Sequence, residues 1–271
     1  MYENYRKSIN KSLKNDPSCN ALHYKRSGFT TGFVKHILLV AVITSISACT
    51  QNIKSDKASD YNSDLGIQYL QKGRLNLANE KLLKSLEQNP DSEKPNHYYA
   101  LLQERLGNVE LADKHFKKAI EAAPDTPEIR NNYGSFLCKN KRPQAAVKQF
   151  LIAVKNPLYR TPEFAYTNAG ICLRKTNNDA LAENYFRLAL KKKSSFPSAL
   201  LEMGKLYFDR KSYARAQGFM LRYENVGTSS PEALELCVGI NNKMGNHTKA
   251  ASCKSALLRL FPSSPEAERL N

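Results

Sequence analysis

The sequence predicts an all-α fold, a solenoid of six stacked helix-turn-helix pairs. Three observations predict it: a period of 34 residues, a small residue in the first helix of each pair, and an alanine twelve residues later. A fixed period of this length is typical of stacked helical repeats. The small residues are Gly66, Ala100, Gly134, Gly170 and Gly204, with Val238 in the last pair; the alanines are Ala78, Ala112, Ala146, Ala182, Ala216 and Ala250.

A larger residue follows each alanine by four positions: Leu82, Phe116, Phe150, Phe186 and Met220, with Lys254 in the last pair. Small residues let two antiparallel helices approach closely, so we expect the larger residue to fill the wedge beside them. Pro90, Pro124 and Pro262 end second helices, because proline cannot continue a helix. The step from Gly134 to Gly170 is 36 residues, which predicts a longer turn at 156–162.

The first pair reads Leu65-Gly66-x-x-Tyr69 with Gly73 and Ala78, which resembles the tetratricopeptide repeat. The resemblance covers residues 59–264 and implies a right-handed superhelical solenoid of six tetratricopeptide repeats, followed by a C-terminal tail at 265–271. In this family the first helices line a concave groove that binds partner segments.

Carrying the family's groove positions onto this chain gives candidate partner-binding residues. The alternative, that these side chains are ordinary core residues packed on neighbouring helices, stays open at this point. The candidates are Ile67, Leu70, His97, Leu101, Arg105, Asn131, Phe164, Ile171 and Arg174.

The N-terminal region has the pattern of a secretory signal at 34–48. Residues 37–47 carry no charge and follow Lys35. Eleven apolar residues are too few to span a bilayer, which needs about 20, whereas a short apolar segment ending in small residues is typical of a signal peptide. The sequence Ile46-Ser47-Ala48-Cys49 resembles a bacterial lipobox, which implies that Cys49 is acylated and becomes the first mature residue.

The lipobox resemblance also implies the place of the mature protein. Several acyl chains on one residue make a stable membrane anchor, and residues 49–58 would form a lipidated tether. Because no Asp follows Cys49, the resemblance implies the periplasmic face of the outer membrane. Residues 1–33 form a long polar segment before the signal peptide. We interpret this segment either as the result of a wrongly assigned translation start, with Val34 as the true start, or as an extension without a function.

Composition and motifs argue against catalysis and nucleic-acid binding. The net charge is +16, which suits anionic lipid, murein or an acidic protein as well as nucleic acid. No basic helix with interleaved aromatic residues occurs. The chain also lacks H-E-x-x-H, G-x-S-x-G and G-x-x-x-x-G-K-[ST]. We therefore expect no enzyme activity, no small-molecule substrate, no cofactor and no metal site.

Cysteine counting predicts a disulfide between Cys138 and Cys172. Signal cleavage removes Cys19 and lipid occupies Cys49, so four cysteines remain in an oxidising compartment. Cys138 and Cys172 lie on successive first helices, and the two-residue insertion shifts their repeat positions so that the side chains can face one another. The alternative is a pair of buried free thiols. A second bridge, Cys237 with Cys253, is left open.

Local sequence indicates a narrower resemblance, densest over residues 127–190. The stretches at 131–138, 145–150, 156–163 and 168–172 resemble the PilF/PilW family of type IV pilus biogenesis/stability lipoproteins. That resemblance implies a pilotin, which binds secretin subunits, carries them to the outer membrane and promotes their multimerisation. The alternative is a tetratricopeptide lipoprotein scaffold of another envelope assembly, for outer-membrane protein insertion or murein synthesis. Val238 and Lys254 indicate a capping last repeat.

Overall fold

The computed structural model describes residues 56–227 and 229–270. The predicted extension at 1–33, the signal peptide at 34–48 and the acylated Cys49 lie outside the described residues. Residues 56–58, which we assigned to the tether, are already helical. The helix begins this early because its polar side chains contact the next helix: Asp56 accepts a hydrogen bond from Asn89 at 2.7 Å, and Ser59 Oγ donates to the Ser85 carbonyl at 2.9 Å.

The described residues form thirteen helices and no strand, and twelve of the helices form six antiparallel pairs. Repeat one consists of α1, residues 56–71, and α2, Leu75–Gln88. The other pairs are α3 (Glu93–Leu106) and α4 (Val109–Ala122), α5 (Pro127–Lys139) and α6 (Pro143–Lys155), α7 (Pro162–Arg174) and α8 (Asp179–Lys192), α9 (Pro197–Asp209) and α10 (Tyr213–Glu224), and α11 (Pro231–Lys243) and α12 (His247–Leu260).

The helix boundaries follow from local chemistry. Proline opens α5, α6, α7, α9 and α11, where its missing N–H is not needed for an intrahelical bond. The turn inside each pair has one residue with positive φ, and these residues recur with the period of the sequence repeat. They are Gly73, Gly107, Lys141, Asn177, Lys211 and Gly245.

Close helix contact explains the repeated glycines. A Cβ atom on Gly134 would lie 2.6 Å from Cε1 of Phe150, and one on Gly170 would lie 2.4 Å from Cε1 of Phe186. Both phenylalanines are almost completely buried. The small residue and the large residue of a repeat therefore fill one space together, as the spacing predicts.

The pairs stack into the right-handed solenoid that the sequence predicts. First helices of neighbouring repeats contact one another, α5 with α7, α7 with α9 and α9 with α11, and each second helix contacts the next first helix. The first helices thus form an inner row and the second helices an outer row. Two large hydrophobic clusters run through the stack, one from Ala100 to Cys172 and one from Leu173 to Ile240.

The longer turn between repeats three and four is well ordered. Asn156 Oδ1 accepts a hydrogen bond from the Leu158 backbone N–H at 2.9 Å, and its Nδ2 donates to the Asp125 carbonyl at 2.7 Å. Tyr159 is buried, whereas Leu158 is 83% exposed. The turn fixes where α7 starts and therefore the register of α7 against α5.

The structure joins two pairs of cysteines. The Cα atoms of Cys138 and Cys172 lie 5.7 Å apart, on α5 and α7. Those of Cys237 and Cys253 lie 6.1 Å apart, on the two helices of repeat six. Both separations lie within the range that a disulfide requires.

The segment that we assigned to a C-terminal tail contains a helix, α13, Pro265–Leu270. It packs on α11 and α12 and buries Ala267 completely. Arg269 donates to both carboxylate oxygens of Glu235 at 2.8 Å. The end of the stack is therefore covered, since the apolar residues of repeat six have no further repeat to pack on.

No helix within the described part of the chain combines the length and the apolar composition that spanning a bilayer would require.

Candidate functional site

A groove of about 610 Å³ opens on the inner row of repeats one to three. Ile67 and Leu70 of α1 and Leu101 of α3 form its apolar wall, and Phe136 of α5 forms its floor. The remaining lining residues are Gln71, Glu104, Arg105, Gly107, Val109, Lys139 and Asn140. Four of the nine predicted groove residues, Ile67, Leu70, Leu101 and Arg105, therefore line one site.

The repeat geometry explains why these side chains meet. Ile67 and Leu101 are 34 residues apart and occupy the same position in successive first helices. Leu70 lies three residues after Ile67, on the same helix face. All three are only partly buried, so each keeps apolar surface that a partner can cover. Partly exposed aliphatic residues in a concave surface are typical of grooves that bind helical or extended segments.

Charged residues border the groove. Lys139 Nζ donates to Glu104 Oε1 at 2.7 Å, which ties α5 to α3 across the opening. Arg105 is exposed and has no carboxylate partner among the residues that the structure describes. An incoming carboxylate could pair with Arg105 without displacing an existing ion pair.

His97 is a packing residue rather than an exposed groove residue. Its side chain is 8% exposed, and its Nε2 accepts a hydrogen bond from Asn132 Nδ2 at 3.0 Å. Burial lowers the pKa of His97 to about 4. The ring is therefore neutral at physiological pH and joins repeat two to repeat three.

Asn131 also serves the contact between repeats. Its Oδ1 accepts a hydrogen bond from Asn168 Nδ2 at 3.0 Å, and the same Nδ2 lies 3.3 Å from Ser135 Oγ. These bonds link α5 to α7 near the Cys138–Cys172 bridge. The inner row is thus held at this junction by a disulfide and by side-chain amides.

The remaining candidates lie on α7, outside the groove lining. Phe164 is 46% exposed and packs edge-on against Phe196 at a centroid distance of 4.7 Å. Ile171 packs against the C-terminal hydrophobic cluster. Arg174 forms ion pairs with Glu202, at 3.4 Å, and with Asp209. The nine candidates therefore do not form a single site, because repeat position alone does not fix which neighbour a side chain meets.

Sequence reasoning missed several lining residues. Glu104 was detectable, because it lies 34 residues after Leu70 and shares its repeat position. Phe136 and Val109 gave no such signal. Phe136 lies beneath the opening because α5 stacks on α3, and Val109 lies in the groove because the Gly107 turn places it there.

The described residues contain no cluster of three or more His, Cys, Asp or Glu side chains that could hold a metal ion.

Comparison with known proteins gives consistent matches. The tetratricopeptide repeat family model matches residues 99–159. The type IV pilus assembly protein PilF of Pseudomonas aeruginosa is 29% identical over 235 residues, which covers 85% of this chain and 93% of that protein.

Two solved structures share the fold and the length. The structure of Pseudomonas aeruginosa PilF matches with a TM-score of 0.70 and 28% identity, over 80% of this chain and 98% of that one. The structure of PilW, described as a widely conserved type IV pilus biogenesis factor, matches with a TM-score of 0.71 and 28% identity, over 78% and 97%. This chain is therefore a tetratricopeptide-repeat solenoid that is similar over most of its length to the type IV pilus factors PilF and PilW.

Proposed function

We propose that this protein is an outer-membrane lipoprotein of type IV pilus biogenesis. In this role it is a pilotin, which binds secretin subunits, carries them to the outer membrane and promotes their multimerisation. Two observations support the proposal: the similarity to PilF over 85% of the chain and the groove on repeats one to three. The groove carries the argument, because it gives the solenoid a place to hold a client.

The groove fits a segment with an apolar face. Ile67, Leu70 and Leu101 keep part of their surface exposed, and complete burial of such a side chain gains about 1 kcal/mol when half of it is already covered. Three such contacts supply about 3 kcal/mol before the cost of ordering the client. A gain of this size suits a client that is bound and then released. A tight complex would need a larger free energy of binding after the costs of association are subtracted.

The proposed anchor would place the groove, which lies on the first repeats, near the membrane. Six residues lie between Cys49 and Asp56, and the seven Cα–Cα steps that join the two residues reach at most about 25 Å when extended. Acylated Cys49 would therefore keep repeat one, which contributes Ile67 and Leu70, close to the inner face of the outer membrane. A client held in the groove is delivered to the surface where it assembles.

The test is to identify which proteins co-purify with the detergent-extracted lipoprotein. We expect a secretin with the natural chain and a loss of at least about tenfold with Leu101→Asp, because a charge against apolar partner surface costs several kcal/mol. Leu83→Asp is the matched control, since Leu83 is 40% exposed on α2 and does not line the groove. Circular dichroism melts of both variants must match the natural chain.

Three outcomes distinguish the alternatives. Equal loss of secretin with Leu101→Asp and Leu83→Asp would place the client site elsewhere. Secretin retained by Leu101→Asp would exclude this groove. Recovery of an outer-membrane protein insertion component or a murein-synthesis enzyme in place of a secretin would favour the envelope scaffold over the pilotin.

A further inference from the structure

The charge of the described chain is concentrated in its C-terminal half. Residues 56–142 carry 14 Lys or Arg and 13 Asp or Glu, whereas residues 143–270 carry 19 and 10. The excess basic charge therefore belongs to repeats three to six.

Much of this excess lies on the outer row of helices. Lys148 and Lys155 of α6, Lys191 of α8, and Arg215 and Arg222 of α10 are all exposed. None of the five forms an ion pair with a carboxylate of the described residues. We call these five residues the basic face.

Acidic residues on the same three helices are already neutralised. Glu183 accepts hydrogen bonds from Arg187 at 2.7 Å and from Tyr207 at 2.6 Å, and it also pairs with Arg210. These contacts, which outweigh the opposing effect of burial, lower the pKa of Glu183 to about 2. Glu224 pairs with Lys249 at 3.4 Å. The basic face therefore presents its charge to solvent without internal compensation.

Exposed leucines lie among the basic residues. Leu181 and Leu188 of α8 are 38% and 40% exposed, and Leu221 of α10 is 51% exposed. Leu188 and Lys191 are three residues apart on one helix face, and Leu221 is adjacent to Arg222. A surface that mixes aliphatic and basic side chains suits a membrane interface, where the cations meet headgroups and the leucines enter the acyl boundary.

The outer faces of α2 and α4 provide the contrast. Their exposed charges alternate in sign: Glu80, Lys84 and Glu87 on α2, and Glu110, Lys114, Lys117 and Glu121 on α4. The same structural position is thus balanced in repeats one and two and positive in repeats three to five. The difference is specific to one part of the solenoid rather than general to its outer row.

We propose that the basic face docks on an anionic phospholipid surface. The inference rests on the proposed lipid anchor, which would hold the chain beside such a surface, and on the charge complementarity of the two. Because the basic face belongs to the outer row and the groove to the inner row, docking would lay the solenoid along the membrane with the groove open toward the periplasm. The client is then presented away from the lipid.

The test uses the full chain with Cys49→Ser, which cannot be acylated, and vesicles of phosphatidylglycerol or phosphatidylcholine. Each basic residue near an anionic surface contributes about fivefold to partitioning. Lys148→Gln with Lys191→Gln should therefore weaken binding to phosphatidylglycerol about thirtyfold. The matched control is Lys84→Gln on α2 combined with Lys114→Gln on α4. It removes the same charge and should leave binding to phosphatidylglycerol within about twofold of that of the protein with the natural basic face. Any binding through the N-terminal apolar segment is common to all variants.

Added salt should weaken the binding of the natural basic face, because exposed charges are screened. Equal binding to both vesicle types, or equal loss with the two double variants, would overturn the proposal. Binding to polyglutamate but not to phosphatidylglycerol would overturn it in favour of an acidic protein. Absence of acylation at Cys49 in cells would refute the proposed anchor but would leave these vesicle measurements unchanged, so the two failures are distinguishable.

Discussion

Replacing two helical glycines by alanine should have opposite effects on stability. A Cβ atom on Gly170 would lie 2.4 Å from Cε1 of Phe186, whose side chain is fully buried, whereas one on Gly218 of α10 would meet nothing within 4 Å. Glycine loses more backbone freedom than alanine when a helix forms. Both changes therefore stabilise the helix by about 0.5–1 kcal/mol. Only Gly170→Ala overpacks the core, at a cost of about 1–3 kcal/mol.

The difference between the two variants therefore isolates the clash. We expect Gly218→Ala to be slightly more stable than the natural chain and about 1–3 kcal/mol more stable than Gly170→Ala. For a domain of this size, 2 kcal/mol corresponds to about 4–8 °C in Tm. Repeat two carries Ala100 beside Phe116 at the equivalent positions, so a pair can be built around a methyl group if the ring is placed for it. We therefore expect the overpacking cost of Gly170→Ala to lie near the lower end of the range of about 1–3 kcal/mol.

The assay is urea and thermal unfolding of both variants with the disulfides intact, followed by circular dichroism. Equal stability of the two variants would refute the reasoning, because it would mean that the Phe186 ring moves aside without cost. Unequal m values would show that the repeats no longer unfold together, and the comparison would then be made on the transition of repeats four and five, which contain Gly170 and Gly218.

Three other predictions follow from the described contacts and the sequence. Burial lowers the pKa of His97 from 6.5 to about 4, so the stability that depends on neutral His97 is fully present above about pH 6.5 and decreases by about 3 kcal/mol as the pH falls toward 4. His97→Gln should therefore reduce the loss of stability that urea unfolding measures between pH 6.5 and 4, and a loss as large as that of the natural chain would refute the assignment. Cys138→Ser should lower stability by about 3–4 kcal/mol on chain-entropy grounds for a 34-residue loop, and thiol alkylation under denaturing, non-reducing conditions should leave Cys138 and Cys172 unmodified; labelling of both in periplasmic protein would exclude the bridge. Cys49→Ser should release the folded repeats from the outer membrane on cell fractionation, and a variant that still sediments wholly with that membrane would refute the single anchor.

The cysteines and the groove show which contacts can be predicted from the spacing of the repeats. The spacing of Cys138 and Cys172 and the two-residue insertion before α7 were sufficient to predict that the two could face one another, and the structure brings their Cα atoms to 5.7 Å. The groove was predicted in part. Ile67, Leu70 and Leu101 converge because they sit at repeated positions on helices that the period places side by side.

His97 and Arg174 show where the same reasoning fails. Both occupy groove positions of the repeat, yet His97 is covered by its neighbours and bonded to Asn132, and Arg174 is engaged by Glu202 and Asp209. A repeat position fixes the direction of a side chain relative to its own helix. It does not fix whether the next repeat supplies an amide, a carboxylate or open solvent.

The sequence by itself determined the all-α solenoid, its six pairs, the small residues at the helix contacts and the longer turn at 156–162. Each of these features follows from the spacing of residues along the chain. Only the tertiary structure decided which inner-row residues stay exposed, which charges remain unpaired on α6, α8 and α10, and that residues 265–270 fold back as a cap. The physical reason is that helix formation and hairpin packing depend on residues within one period, whereas exposure and charge pairing depend on side chains from repeats that meet only when the stack is complete.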